Sequence, residues 1–426
     1  MVNGSVLLVS PYWLPSNLSG VQRVRVMSRA LRDYGWAPTI VTVDYHDYEE
    51  LPDLSSLRLI RADVPVETVR ALPASLCRPL GFGDIALRGQ WALRRRVGEL
   101  VESHKPSVIF ATVLPGYTSL VGSWAKRQFK IPFVLDYQDP WVPKHDRKEP
   151  GSIKRRAADW IARWLEPKAI RDADAITAVS DETLDSLRER RLIRSGHLIE
   201  IIPIGADRED HAVAQQYGQS FIERAEHLFH IAYLGTLTER MLPVLKTFLA
   251  AAEKVQSETS KTVRIHLIGT SGQPAGGDQH NLSSLIENAG LDGKVCLHPA
   301  RVGYLDALRT MQDADLLLLL GSTDSHYTAS KLFPYWLSGR PIFGLFHCNS
   351  TVVGLARELG GTTLVTYDEQ NGPGSRIAET ALLLGDTMKG KGRPPSRNEE
   401  AFAPYSVDGI AARYARLFDR VARVCD

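Results

Sequence analysis

Short apolar runs recur along the chain, and between them apolar residues return every three or four positions. Runs that do not alternate with polar residues read as parallel strands buried on both faces, and the period between them marks amphipathic helices. A first series of such runs covers residues 5–10, 39–43, 108–112, 133–136, 175–179 and 199–202. A helix is expected over 21–34, where Val21, Val24, Met27 and Leu31 share a face and Gly35 follows as a stop. The pattern breaks at 204–228, with Gly205, the charged stretch 207–210 and the polar stretch 215–219. A second series then covers 230–233, 263–268, 295–298, 316–320, 341–345 and 363–366, and a last helix is expected over 406–424 on the apolar face Ile410, Tyr414, Leu417 and Val421. The Gly/Pro/basic stretch 385–397 reads as a loop. This alternation predicts an α/β chain of two doubly wound, Rossmann-like domains, at 1–205 and 225–405, with 406–426 as a C-terminal helix packing back toward the first. Ligands on such sheets sit beyond the carboxyl ends of the strands, so the expected working site is a cleft where the two domains face each other.

Composition narrows the picture. The 426 residues exceed one ordinary core and suit two domains of roughly 200 residues each. Lys+Arg of 51 against Asp+Glu of 49 leaves a net charge of +2, too balanced for a nucleic-acid partner. Cys77, Cys296, Cys348 and Cys425 are scattered, which indicates neither a zinc site nor a disulfide framework and points to a reducing, cytoplasmic setting. The longest apolar runs, Val6-Leu7-Leu8-Val9 and the five leucines at 316–320, are strand length only, so neither a signal peptide nor a membrane span is expected.

Five segments carry candidate chemistry. Ser16-Asn17-Leu18-Ser19-Gly20 links the first strand to its helix, where backbone N–H groups can hold an anion or a hydroxyl; the alternative is a plain turn. No G-x-G-x-x-G occurs there, which disfavours a nicotinamide dinucleotide. Arg23 and Arg25 follow in the first turn, facing either a ligand or solvent. Asp136-Tyr137-Gln138-Asp139-Pro140-Trp141 runs out of a buried strand and sets Asp136 and Asp139 to orient a hydroxyl, act as its base, or only brace the loop. Ser180 ends the next strand as a helix cap, with Thr183 at its third position. Tyr233-Leu234-Gly235-Thr236-Leu237-Thr238-Glu239-Arg240 repeats the strand–glycine–helix logic, with Gly235 admitting a phosphate and Arg240 either meeting its oxygens or pointing to solvent. Ser330-Lys331-Leu332-Phe333-Pro334-Tyr335-Trp336-Leu337-Ser338-Gly339-Arg340-Pro341 reads as a short helix and stop, with Lys331 in the first turn.

The order of these segments over some 340 residues resembles the large retaining GT-B glycosyltransferase family, the "glycosyl transferases group 1" type. The opening 6–35 resembles its first strand, glycine-containing loop and "VQR" helix; Asp136 to Trp141 its D-x-x-D-P-W segment; 173–180 and 201–207 its "ADAITAVS" and "IPNG-D" segments; 233–240 its donor-domain opening; and 330–341 its "SKL-E-YL-SG-P" stretch. The resemblance implies transfer of a sugar from a nucleotide diphosphate, a UDP-sugar or else a GDP-sugar, held in the C-terminal half. The acceptor would be a glycan, lipid-linked glycan or small natural product held in the N-terminal half, and neither a metal nor another cofactor is required. Residue by residue it matches Gly20, Asp139, Arg240 and Lys331 to functional positions. With the residues read beside them, Asp139 is the expected catalytic residue, Gly235, Thr236, Arg240, His326, Thr328, Ser330 and Lys331 are expected at the donor, and Ser19, Gly20, Arg23 and Asp136 at the acceptor. Two departures stand out. Pro334 and His326 occupy the places of paired glutamates that hold donor ribose and sugar, and Thr236 stands where many members carry arginine. The alternatives are an inactive GT-B paralogue that binds a nucleotide sugar or a partner, and a GT-B sugar-nucleotide epimerase.

Two basic, tryptophan-containing stretches suggest a visit to the inner face of a membrane, or helices that pack their tryptophans inward. Arg88, Arg94, Arg95 and Arg96 surround Trp91 and Leu93, and Lys154, Arg155, Arg156 and Arg163 surround Trp160 and Trp164.

Overall fold

The computed structural model describes residues 4–142, 153–256, 261–271, 282–324, 330–392 and 394–423, with the side chains of 153–155 excepted. The chain divides into two compact units, residues 1–205 with 404–426, and residues 206–403. The last helix therefore belongs to the first unit, and the segment 206–224 to the second.

The first unit is built on a seven-stranded sheet. Its strands are β1 (Gly4–Val9), β2 (Trp36–Val43), β3 (Val66–Val69), β4 (Val108–Thr112), β5 (Phe133–Tyr137), β6 (Ala175–Ala178) and β7 (Leu198–Ile201), in the order β3-β2-β1-β4-β5-β6-β7. All neighbours pair parallel. β3 was not foreseen: its four residues, Val-Glu-Thr-Val, form an edge strand that is nowhere fully buried, and Glu67 within it pairs with Arg96. The first helix runs Ser19–Ala30 and tightens into a 3-10 turn over Leu31–Tyr34, closed by Gly35 at φ +82°. The helix Val407–Arg423 packs on it, with Trp36 Nε1 donating to Asp419 at 3.0 Å and the Phe110 and Tyr414 rings edge to face at 5.6 Å.

The second unit has a six-stranded parallel sheet: β8 (Leu228–Leu234), β9 (Thr262–Ile268), β10 (Val295–His298), β11 (Leu316–Leu320), β12 (Ile342–His347) and β13 (Thr362–Tyr367), in the order β10-β9-β8-β11-β12-β13. The five leucines of β11 are buried throughout, as a strand covered on both faces requires. The helix Ile377–Met388 runs through Gly385, so the expected loop at 385–397 begins later: Gly385 packs against Val255 of the helix Leu242–Gln256, where a small residue fits.

In each sheet the order reverses once beside the first strand, between β1 and β4 and between β8 and β11. Such a reversal opens a crevice at the carboxyl ends of the two strands, because the following helices leave on opposite faces. The candidate residues gather at these two places.

Candidate functional site

At the β1 end of the first unit, the loop from Ser10 leads into the helix Ser19–Ala30. Ser16 Oγ accepts from the Leu18 N–H at 3.3 Å and bonds the Glu50 carboxylate. Leu18 stands at the cap position and offers no side-chain bond, and no acid lies in the first turn. The first backbone N–H groups of this twelve-residue helix thus lack the usual side-chain partner. Ser19 is exposed there. Gly20 is buried, and a Cβ on it would lie 2.9 Å from Leu114 Cδ2.

Arg23 and Asp136, both expected to meet an acceptor, are enclosed in the first unit instead. Each is 0% exposed, and they bind each other, Arg23 Nε donating to Asp136 Oδ2 at 3.2 Å. The remaining guanidinium donors go to the carbonyls of Pro203 at 2.8 Å and Ile202 at 2.5 Å. Asp136 Oδ1 accepts from Thr177 Oγ1 at 2.6 Å and from Tyr414 Oη at 3.0 Å. The physical reason is that a buried ion pair survives only when its hydrogen bonds are met, and here the partners come from within the unit. Arg25 is likewise buried, with Gln22 Oε1 taking its Nε at 2.8 Å. Ser180 caps no backbone N–H; its hydroxyl lies 3.1 Å from Thr183 Oγ1 above a short 3-10 turn.

Asp139 is exposed just past β5, with no hydrogen bond or ion pair among the described residues. Surrounding protein withholds enough water to push its carboxyl above the usual range. Beside it lies a residue that sequence reasoning passed over. Gln138 is 7% exposed, its Nε2 donates to the Gly20 carbonyl at 3.3 Å, and its Oε1 has no hydrogen-bond partner. The signal available was its place between two acids at a strand end.

At the β8 end of the second unit, Gly235 takes φ +125°, a conformation only glycine adopts freely, and its N–H donates to the Ile268 carbonyl at 2.8 Å. Lys331 lies directly against it: a Cβ on Gly235 would come 2.3 Å from Lys331 Nζ. The ammonium donates to Tyr233 Oη at 3.0 Å and sits 4.4 Å from that ring's centroid, with no carboxylate against it among the described residues. Burial pushes its pKa down to about 7. Lys331 occupies the cap position of the helix Leu332–Leu337 rather than its first turn. Six residues make a weak dipole, so any anion here is met by the lysine and not by the helix. Pro334 is the third residue of that helix, where its missing N–H would have had no partner.

Arg240 falls in a 3-10 turn, Glu239–Met241, ahead of the helix Leu242–Gln256 rather than within it. It is largely exposed and pairs with Asp324 at 2.9 Å, beside the loop that follows β11. Thr236 is exposed, and its carbonyl accepts from Tyr233 Oη at 2.9 Å. Ser330 is exposed next to Lys331 in sequence, while His326 and Thr328 lie outside the described residues. The structure therefore joins Gly235, Lys331 and Tyr233 closely and leaves Arg240 on the adjoining loop. Tyr233, read only as strand, is the residue that seats the lysine. Among the described residues no group of three or more His, Cys, Asp and Glu is placed to hold a metal, and no helix is long and apolar enough to cross a membrane.

The same two-sheet architecture occurs in solved structures. Sucrose-phosphate synthase from Thermosynechococcus elongatus aligns with a TM-score of 0.64 at 14% identity, over 99% of this chain and 100% of that one. Anabaena HepE in complex with UDP and glucose aligns with a TM-score of 0.59 at 15% identity, over 98% and 100%. The fold is GT-B. A glycosyltransferase from Rickettsia africae shares this GT-B architecture, with a TM-score of 0.56 at 12% identity over 98% of both chains. Residues 20–205 match the Glycosyl transferase 4-like domain, a stretch that starts at Gly20 and ends at Gly205. Comparison with curated protein sequences found no match.

Proposed function

We propose that this protein is a glycosyltransferase that binds a nucleotide-diphosphate sugar at the β8 end of its second unit and an acceptor hydroxyl at the β1 end of its first. The observation that carries the donor reading is Lys331, an enclosed amine with no carboxylate against it among the described residues, whose Nζ lies where a side chain on Gly235 would have to stand. An amine in that setting gains most from a ligand that brings negative charge, as the leaving diphosphate of a sugar nucleotide does. Arg240, on the adjoining loop, is the second cation. Support for a UDP-sugar comes from the HepE structure, which holds UDP and glucose, and the match over 20–205 supports sugar transfer. Pro334 leaves no carboxylate for the ribose on the helix Leu332–Leu337. A retaining outcome and a role in building glycans rest on the resemblance alone. Asp139, exposed, unpaired among the described residues and raised in pKa, is the group we assign to the acceptor proton.

The experiment is a thermal-shift screen against UDP, GDP, ADP and dTDP, followed by incubation with the matching nucleotide sugars. Stabilisation by one nucleotide and transfer from its sugar conjugate support the reading. Binding without transfer favours an inactive paralogue, an isomerised sugar favours an epimerase, and no binding at all removes the donor site.

A membrane-borne acceptor is favoured by a further observation. Trp91, Trp160 and Trp164 do not pack inward: they are 74%, 70% and 59% exposed. Arg95 lies over the Trp91 ring and Lys168 over the Trp164 ring, the pairing of aromatic and cation that suits a headgroup region. Arg88 takes no part, being buried and bonded to the carbonyls of Leu72 and Asp47. Co-sedimentation with anionic vesicles at low salt checks this, and failure to bind favours a dissolved acceptor.

A further inference from the structure

The loop that leaves β5 carries Asp139, and a single carboxylate ties it down on both sides. Glu166 lies in the helix Ile153–Asp172 and is 0% exposed. Its Oε1 accepts from Tyr137 Oη at 3.1 Å, just before Asp139 in the chain. It also takes a hydrogen bond from the backbone of Val142, just after Asp139. Its Oε2 pairs with Arg190, which follows the helix Asp185–Glu189. Arg190 Nε donates to the Ser186 carbonyl at 3.0 Å, and Ser186 Oγ donates to the Val142 carbonyl at 2.8 Å. The bonds close a ring that runs from Glu166 through Arg190, Ser186 and Val142 back to Glu166. Two helices and β5 meet in it.

A further tie falls inside the loop. The Trp141 ring fills the space where a Gly116 Cβ would stand, 2.3 Å from its Cγ, and meets the Tyr117 ring edge to face at 5.3 Å. Only Gln138, Asp139 and Pro140 lie between fixed points, and the proline ring removes one backbone rotation from those. Asp139 has no hydrogen bond or ion pair of its own among the described residues, so its carboxyl is aimed by the backbone that carries it. Stability alone is a weak reason for such a ring, because apolar groups of the same volume often serve a core as well as a buried ion pair does. What the carboxylate adds is direction, since its two oxygens fix their donors in distance and angle. Being fully enclosed, Glu166 acts on a ligand only through the loop it holds.

We propose that Glu166, through its ring with Arg190, Ser186 and Val142, is a positioning residue that holds the Asp139 loop in the conformation that serves sugar transfer. The catalytic half of this rests on the role given to Asp139 above; the pinning of the loop does not.

The test reads the full chain in two ways. The Asp139 carboxyl is titrated by carbon NMR in protein labelled with carbon-13 aspartate, its resonance assigned by its loss in Asp139→Asn. Release of UDP from UDP-glucose gives kcat and the donor KM. In Glu166→Gln the loosened loop should admit water to Asp139, so its pKa falls toward the ordinary carboxylate range. The same variant should lower kcat roughly 10- to 100-fold at an unchanged donor KM, the scale of a misplaced reacting group. Ser186→Ala frees only the Val142 carbonyl and alters no charge, so a smaller fall in both readouts there comes from loosening and not from electrostatics. This variant carries the test by itself should Glu166→Gln fail to fold. An Asp139 pKa unmoved in the folded variants, or kcat unmoved while that pKa falls, overturns the proposal. So does a rise in donor KM matching the loss of kcat, the mark of a general structural role. Parent-like turnover in Asp139→Asn, with the Asp139 pKa still lowered in Ser186→Ala, defeats instead the role given to Asp139 and leaves the pinning in place.

Discussion

The two sheet reversals carry similar parts and use them differently. At the β1 end a glycine, Gly20, stands beside a helix whose arginine, Arg23, is enclosed and bonded to Asp136 and two carbonyls. At the β8 end a glycine, Gly235, stands beside Lys331, whose amine meets a tyrosine hydroxyl and ring and no carboxylate among the described residues, while Arg240 is exposed on a neighbouring turn. The first cation has its partners built in and so holds the unit together. The second has no counter-charge against it among the described residues, and burial pushes its pKa down to about 7. Position at a strand end is therefore not enough to select a candidate; we add the requirement of an unmet charge or hydrogen-bonding atom, and on it propose Lys331 and Gln138 in place of Arg23 and Asp136.

The contrast can be broken most forcefully from the first unit. Arg23→Ala leaves Asp136 buried without its cation, and urea unfolding should show a loss of about 3–5 kcal/mol, the scale for one orphaned half of a buried pair. Lys331→Ala should do the opposite: turnover falls roughly 100-fold, about 2.7 kcal/mol of lost charge stabilisation, while urea stability is unchanged or slightly higher. If Arg23→Ala leaves stability intact, or Lys331→Ala unfolds the second unit, the division of roles is wrong.

A third expectation concerns acid. Burial pushes His211 and His266 down to about 4, and for His266 the neighbouring His230, 3.0 Å away, adds to the effect. Between roughly pH 6.5 and 4 the unfolded chain binds protons that the folded chain refuses, so stability is full above that window and falls as pH drops through it. The slope should be about 1.4 kcal/mol per pH unit for each histidine. Urea midpoints measured from pH 7 to 4.5 should flatten in His266→Phe; an unchanged slope would place the acid sensitivity elsewhere. The smallest effect is expected at Arg240, an exposed residue whose side chain has one ion-pair partner among the described residues. Arg240→Ala should change stability by less than about 1 kcal/mol and lower turnover about tenfold, read by steady-state kinetics.

Much of the fold was legible because its strands are buried on both faces: runs such as 108–112 and 316–320 have no polar register to confuse. β3 escaped because an edge strand of four residues carrying Glu67 has no such run, and Gly385 misled because a helix facing Val255 tolerates glycine for packing reasons. At the site, Gly235 and Lys331 were legible as residue types at strand and helix ends. That Arg23 and Asp136 neutralise each other was not, since they are 113 positions apart and meet only through the sheet. Gln138 was invisible for the complementary reason: its significance lies in a hydrogen bond it does not make.

The central claim is that Lys331 awaits a diphosphate, and proton linkage tests it directly. At pH 8 the amine, with its pKa near 7, is mostly neutral, and an arriving diphosphate would raise that pKa and draw a proton onto Nζ. Calorimetric titration of UDP at pH 8, in buffers of different ionisation heat, should show uptake approaching one proton per UDP bound, and that uptake should vanish in Lys331→Met. UDP binding with no proton uptake, or uptake that persists in Lys331→Met, would contradict the account.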